Sequence, residues 1–284
     1  MSSNCDINNQ AVDFQEPSAP AEFTLSLKNT GFAVLTNHPI NFDLVNRVYE
    51  EWEVFFSSDS KHEYKFNLKE QDGYFPFGEE NAKGYTHKDL KEFFQIYPWG
   101  QYPKMISEQT RKLYSNLCEI SGTLLSWVED NCPEKIKDSF SQPLSEMIKN
   151  SPMNMLRIIH YPPLRETDSP QAVRAAAHED INLLTILCAA TSPGLQASDV
   201  DGNWFDVPTD PGMIVVNTGD MLQMATDGYF PSTTHRVINP PDDKRKTSRL
   251  SMPLFLHPHD HVKLSESHTA RSYLAERLEE IGLI

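Results

Sequence analysis

The sequence predicts a mainly β protein with flanking helices. After about residue 150 the chain breaks into short β-prone runs: MNMLRIIHY, NLLTILCAAT, GLQAS, WFDVP, GMIVVNT, THRVIN and SRLSMPLFLH. Turn signals separate them, namely YPP, SPG, DGN, TDPG, DGYFPS and NPPDD. Strands at this spacing build a sandwich or barrel, not a doubly wound sheet. Ahead of them lie stretches with helical periodicity, so a helical N-terminal part leans on an all-β C-terminal part.

Taken in order, residues 1–22 are a polar, proline-containing arm in which only AVDF (11–14) is strand-like. GFAVLTNHPI (31–40) reads as a buried strand ended by Pro39. Leu44, Val48, Trp52 and Phe55 mark a helix over 42–56, and a second helix over 107–131 takes Ser107 as its cap. Residues 71–105, rich in glycine and aromatics, read as irregular loop and strand. Further on, DVDGNWFDV forms a hairpin in which Asp201 and Gly202 supply the positive φ of a primed turn. The last helix, 272–284, carries the apolar stripe Leu274, Leu278 and Ile281. The expected division is an N-terminal region 1–105, a helical connector 106–150, a core 151–265 and a C-terminal helix 266–284.

With 25 basic and 40 acidic residues the net charge is −15, a field that repels phosphate backbones and anionic lipid. Nucleic-acid and membrane partners are therefore not expected. The longest apolar run, 183–190, is far short of the roughly 18 residues of a spanning helix. The polar start carries no signal-peptide pattern, and Cys5, Cys118, Cys132 and Cys188 form no CxxC pair. These features point to a reducing cytoplasm.

The segment RAAAHEDINLLTILCAAT (174–191) carries the chemistry. In an extended strand His178 and Asp180 point the same way and can grip one ion. H-x-D alone is a weak signal, because a solvated β-edge offers the same pair. A third ligand is available in His235, on a later β-run. Two imidazoles and one carboxylate on one side of an ion leave positions open opposite, which suits a non-haem Fe(II) site. Arg249 and Ser251 repeat the i, i+2 spacing in an apolar run, where a guanidinium and a hydroxyl together hold a carboxylate. His257, His259 and His261 alternate in HPHDH, but Pro258 and Asp260 mark a strand running out into a loop. Their role stays open between a solvated strand end and a second metal site.

With these residues in place, the chain resembles the Fe(II)/2-oxoglutarate-dependent dioxygenases, closest to their isopenicillin N synthase-like branch. The likeness is carried by His178-Glu179-Asp180, His235 and Arg249-Leu250-Ser251, with HYPPL, GYFPFGEENAKGYTHKDLKEFFQI and SMPLFLHP, and spans about residues 10–265. It implies a double-stranded β-helix (jelly-roll) core wrapped by helices. It also implies an oxidoreductase that couples 2-oxoglutarate decarboxylation to hydroxylation or desaturation of a small molecule, using Fe(II), O2 and ascorbate as reductant. Carried over by position, His178, Asp180 and His235 ligate iron, and Arg249, Ser251 and Tyr161 hold the far carboxylate of 2-oxoglutarate. Phe255 faces the substrate, and the N-terminal segment supplies a pocket wall, whose aromatics Tyr74, Phe75, Phe77, Tyr85, Phe93 and Phe94 stay open between packing and lining an apolar substrate site. One departure matters: many relatives have Asn-x-Tyr-Pro where this chain has Ile159-His160-Tyr161-Pro162. Isopenicillin N synthase, which uses no 2-oxoglutarate, shares that Ile. An iron oxidase independent of 2-oxoglutarate therefore stays in play, as does a non-catalytic jelly-roll binding module. Substrate identity and oligomeric state are not written in the sequence.

Overall fold

The computed structural model describes residues 11–79, 87–169, 171–199 and 201–280. In chain order the elements are β1 (Ala11–Asp13), α1 (Ala19–Thr30), β2 (Phe32–Thr36) and α2 (Phe42–Ser57). A 3-10 turn follows, then β3 (Gly73–Phe75), β4 (Glu92–Ile96), α3 (Gln109–Asn131), α4 (Glu134–Lys137) and α5 (Leu144–Ile148). The second half holds β5 (Met155–Tyr161), β6 (Ala175–His178), β7 (Leu184–Cys188), β8 (Leu195–Ser198), β9 (Trp204–Asp206) and β10 (Ile214–Thr218). It closes with α6 (Asp220–Ala225), β11 (His235–Val237), β12 (Arg249–Leu256) and α7 (Ala270–Glu280). Tyr85, Ile281 and the first ten residues lie outside the described residues.

Local chemistry explains most boundaries. Asn41 caps α2 by accepting from the Leu44 amide at 3.1 Å. At α3 the cap position is Glu108, and Ser107 accepts from the Gln109 amide at 3.2 Å, one residue from the expected arrangement. Helix α1 is absent from the sequence reading, which takes residues 1–22 as a polar arm and assigns nothing to 23–30, where Phe23, Leu25 and Leu27 alternate. Tertiary packing overrides that alternation: Phe23 and Leu27 are buried, Phe23 meets Trp127 of α3 edge-on, and Leu25 is left 55% exposed. The β8–β9 hairpin forms as expected, but of the two residues expected to supply positive φ, Gly202 does (+83°) and Asp201 does not.

An eight-stranded sheet in the order β1-β2-β10-β7-β12-β5-β4-β3 faces a four-stranded sheet in the order β6-β11-β8-β9. The large sheet is buried on both faces, and alternation divides its side chains. Leu184, Ile186, Leu250, Met252, Leu254, Leu156 and Ile158 join the core shared with α1, α2, α3 and α5. Phe32, Val34, Phe93, Ile159, Tyr161, Leu187 and Val215 point the other way, into a core shared with Ala175, Leu195, Ala197 and Val237 of the small sheet. Because β4 pairs onto β5 and β3 onto β4, the N-terminal segment is continuous with this sheet, and its inward residues face the same interior. Among the described residues no helix is long and apolar enough to cross a membrane.

This partition corrects one expectation. Tyr74 pairs with Phe94 and belongs to the helix-side core, not to the interior between the sheets. Its hydroxyl donates to Glu92 at 2.5 Å, and the same carboxylate meets Lys61 at 2.9 Å and His160 Nδ1 at 2.8 Å. Tyr74 therefore belongs to a buried ionic network that fastens β4 and β5 to the chain after α2. Burial opposes ionisation of Glu92, but His160, Tyr74 and Lys61 offset it and leave the carboxyl below its ordinary value. The stability this provides is present above the unfolded pKa of about 4.3 and is lost as the pH falls through the folded value. In urea unfolding at neutral pH, Glu92→Ala is expected to cost about 3–5 kcal/mol, since Lys61 loses its buried partner. The variant should also lose part of the acid-dependent decline in stability seen in the parent protein.

Candidate metal and co-substrate site

His178 ends β6 and His235 opens β11, and the two are direct cross-strand partners, with ring centroids 4.5 Å apart. Asp180 lies beyond the end of β6, so strand alternation is not what aims it. Its loop docks instead on the start of α6: the Asp220 amide donates to the Asp180 carbonyl at 2.7 Å, and the Gly219 amide to Leu183 at 3.0 Å. Gly219 permits this approach, because a Cβ there would meet the Asn182 carbonyl oxygen at 2.2 Å. The opposite side is fixed through Gly31, where a Cβ would collide with Thr233, two residues before His235.

The donors converge. Asp180 Oδ1 lies 3.9 Å from His178 Nε2 and 3.7 Å from His235 Nε2. Two metal–ligand bonds of about 2.2 Å each span up to about 4.4 Å, so one ion can satisfy both distances. Each imidazole has its other nitrogen committed: His178 Nδ1 donates to the Ala176 carbonyl at 2.8 Å and His235 Nδ1 to Thr233 at 3.1 Å. Those bonds set the tautomer that leaves both Nε2 atoms as acceptors for a cation. Glu179, between the two ligands, turns away and accepts from Thr234 at 2.8 Å.

Asp180 is divided between two tasks. Oδ2 accepts from Thr185 Oγ1 at 2.6 Å and from Asn217 Nδ2 at 2.8 Å, which leaves Oδ1 for the ion. Burial works against its charge, yet His235, His178 and these hydrogen bonds prevail and hold the carboxyl below the usual range. Burial and the neighbouring His235 together lower His178, keeping it neutral and able to ligate. Thr185 and Asn217 were missed from the sequence. They are inward-facing register partners on β7 and β10, and the only hint was a polar residue inside each apolar run.

Arg249 and Ser251 face the same interior from β12, opposite Tyr161 and Ile159 of β5. Arg249 is 1% exposed; its Nε donates to the Ser192 carbonyl at 2.9 Å, while Nη1 and Nη2 have no partner. Buried unpaired guanidinium nitrogens are costly, so this end of the interior fits an incoming carboxylate. Tyr161 lies beneath, its ring centroid 5.1 Å from the Arg249 guanidinium. Ile159, directly across from Ser251, adds no donor. A second buried arginine, Arg174, was not singled out in the sequence. It is also 1% exposed, donates to the Thr247 carbonyl at 2.9 Å and lies 5.8 Å from the Tyr161 ring. Burial and the charge of Arg249 push Arg174 down to about 10, so it remains cationic at neutral pH.

The aromatic candidates separate. Phe93 lies on the inner face and stacks on Phe75 at 4.5 Å. Phe255 shares that face through its pairing with Thr185, and Arg157 lies against both rings, 4.4 Å from Phe93 and 5.4 Å from Phe255. Phe77 is half-buried under Arg165 at 4.4 Å. His257 lies where Asp180 and Arg157 act on it, whereas His259 Nε2 meets the Lys149 carbonyl at 2.9 Å. The alternating histidines therefore do not converge. Among the described residues His178, Asp180 and His235 form the one cluster of potential metal ligands.

A facial set of two imidazoles and one carboxylate inside a two-sheet β-core defines a mononuclear non-haem iron enzyme. Residues 152–258 match the model of the 2OG-Fe(II) oxygenase superfamily, and residues 10–116 match that of the non-haem dioxygenase in morphine synthesis N-terminal region. A Shewanella oneidensis protein assigned as an oxygenase is 49% identical, with 96% of this chain and 98% of that one covered and a TM-score of 0.88. A 2OG-Fe(II) oxygenase family protein of Caulobacter crescentus is 28% identical, covering 95% and 98%, with a TM-score of 0.79. Gibberellin 2-beta-dioxygenase 1 of Arabidopsis thaliana is 26% identical over 270 residues, covering 87% of this chain and 77% of that protein. The chain belongs to the 2-oxoglutarate/Fe(II) oxygenase superfamily, as the sequence motifs indicated, and the jelly-roll expectation holds.

Replacing Asn217 by Ala removes a hydrogen bond behind the carboxylate but no ligand atom. Fe(II) affinity, read by competition with a chelator, should fall about 10- to 100-fold. Thr185→Val should behave alike, and the paired change should fall short of the sum because both act on one oxygen.

Proposed function

We propose that this chain oxidises a small, mostly apolar molecule by hydroxylation or desaturation, coupled to 2-oxoglutarate decarboxylation. The observation that carries the reading is the pairing of a free three-donor face with the unpartnered guanidinium nitrogens of Arg249 on the same interior. His178 Nε2, His235 Nε2 and Asp180 Oδ1 would hold Fe(II). When bound, iron with 2-oxoglutarate and O2 supplies the oxidising power for a C–H bond, releasing succinate and CO2. No protein group needs to act as a nucleophile; the chain binds, orients and excludes water.

Arg249, Ser251 and Tyr161 would receive the far carboxylate. Fe(II) with Asp180 is formally +1, a dianionic co-substrate brings the sum to −1, and Arg249 restores neutrality where an uncompensated charge costs several kcal/mol. Phe93 and Phe255 form the wall on which the substrate rests, with Phe77 nearer the rim. Residues 151–265 would thus carry the iron and co-substrate, and residues 1–105 the substrate wall. We place the chain in the isopenicillin N synthase-like branch, on the likeness at residues 10–116, with ascorbate as reductant. A cytoplasmic location agrees with the free thiols of Cys118, Cys132 and Cys188.

Ile159 favours a second reading, an iron oxidase that takes its electrons without 2-oxoglutarate. Anaerobic addition of 2-oxoglutarate to the Fe(II) protein separates the two. A weak visible charge-transfer band, with succinate formed in air, is expected, and absence of both would select the second reading. Asp180→Ala should abolish turnover without unfolding the protein. Arg249→Ala should weaken 2-oxoglutarate by about 2–5 kcal/mol, measured by titrating the same band.

A further inference from the structure

Arg174 and Arg249 are the two arginines among the largest fully buried side chains, and both guanidinia lie against the ring of Tyr161. Neither has a carboxylate partner among the described residues. Their hydrogen bonds go to the neutral carbonyls of Thr247 and Ser192, and Arg174 Nε joins Arg249 Nη1 and Nη2 without a partner. The nearby buried cation Lys91 differs, being paired with Asp89 at 2.9 Å. Two desolvated cations against one aromatic ring repel one another, and each unpartnered N–H loses the hydrogen bond it would make in water. Such an arrangement is sustained when an anion enters between them.

Iron, Asp180, a dianionic 2-oxo acid and Arg249 sum to zero, so what Arg174 offers the co-substrate is an unpartnered donor, Nε, and not charge balance. A carboxylate has about four lone-pair sites, enough to accept from both arginines at once.

We propose that Arg174 is a second guanidinium of the co-substrate seat, binding the far carboxylate together with Arg249 and so selecting 2-oxo acids that carry one. This rests on the 2-oxoglutarate-dependent reading above. Arg174 then supplies from the segment before β6 the donor that Ile159 cannot supply from β5.

The test titrates the anaerobic Fe(II) enzyme with 2-oxoglutarate and, separately, with 2-oxobutanoate, which chelates iron alike but has no far carboxylate. The visible charge-transfer band is the readout. Arg174→Met should raise the 2-oxoglutarate Kd about 10- to 100-fold, as for loss of a charged hydrogen bond, and leave the 2-oxobutanoate Kd within about twofold. Arg174→Lys should recover most of the loss. Arg174→Gln, which keeps a donor for the Thr247 carbonyl, serves in place of Met should that variant not fold, and should show the same selective loss. An unchanged 2-oxoglutarate Kd, or equal weakening of both ligands, would overturn the proposal. If the parent enzyme gives no band with 2-oxoglutarate, the functional reading itself fails, and this assignment with it.

Discussion

What this protein can do with an ion depends on the cross-strand pairing of His235 with His178. β6 and β11 are short, and a register shift between His235 and Val237 interrupts their ladder. Yet the pairing brings together residues more than fifty positions apart in sequence. Each imidazole is then locked by a backbone carbonyl two residues before it, so the strand that delivers the ligand also sets its tautomer. Asp180 completes the triangle only because the Gly219 backbone comes close enough to seat its loop.

The sheet behind the triad serves two masters. Its helix-side residues are almost wholly apolar and provide cohesion, and the Lys61–Glu92–His160–Tyr74 cluster is a polar exception satisfied within itself. Its inner face carries Thr185 and Asn217, which donate to Asp180, Arg157, which donates to Gln95, and Arg249 and Ser251; such polar groups cost free energy in a closed core unless they are paired. Arg249 Nη1 and Nη2 and Arg174 Nε are unpartnered at one end, whereas at the other Asp180 has Oδ2 engaged and Oδ1 left for the ion. One end of the interior is thus prepared for a cation and the other for an anion. A chelating dianion that spans both is the ligand this polarity favours.

Much of this was legible in advance. The strands from residue 150 onward, the hairpin around Gly202 and the helices over 42–57 and 109–131 follow from period and turn chemistry, which act within a few residues. Gaps arose where a long-range contact decided the outcome. Helix α1 went unassigned, and its Phe23 packs on Trp127. Tyr74 and Phe93 both read as pocket aromatics, but sheet parity turns one toward the helices and the other inward. Parity becomes assignable only once register fixes which face is which.

The sequence by itself determined the fold family and the candidate ligands that the structure brings together, because residue type, spacing and the runs around them are properties of the chain. The tertiary structure alone decided that Asp180 sits beyond its strand and shares one oxygen with Thr185 and Asn217. It alone set Arg174 beside Arg249. Those facts are distances between groups remote along the chain, created when backbone pairing and burial close the two sheets on one another, and no local pattern encodes them.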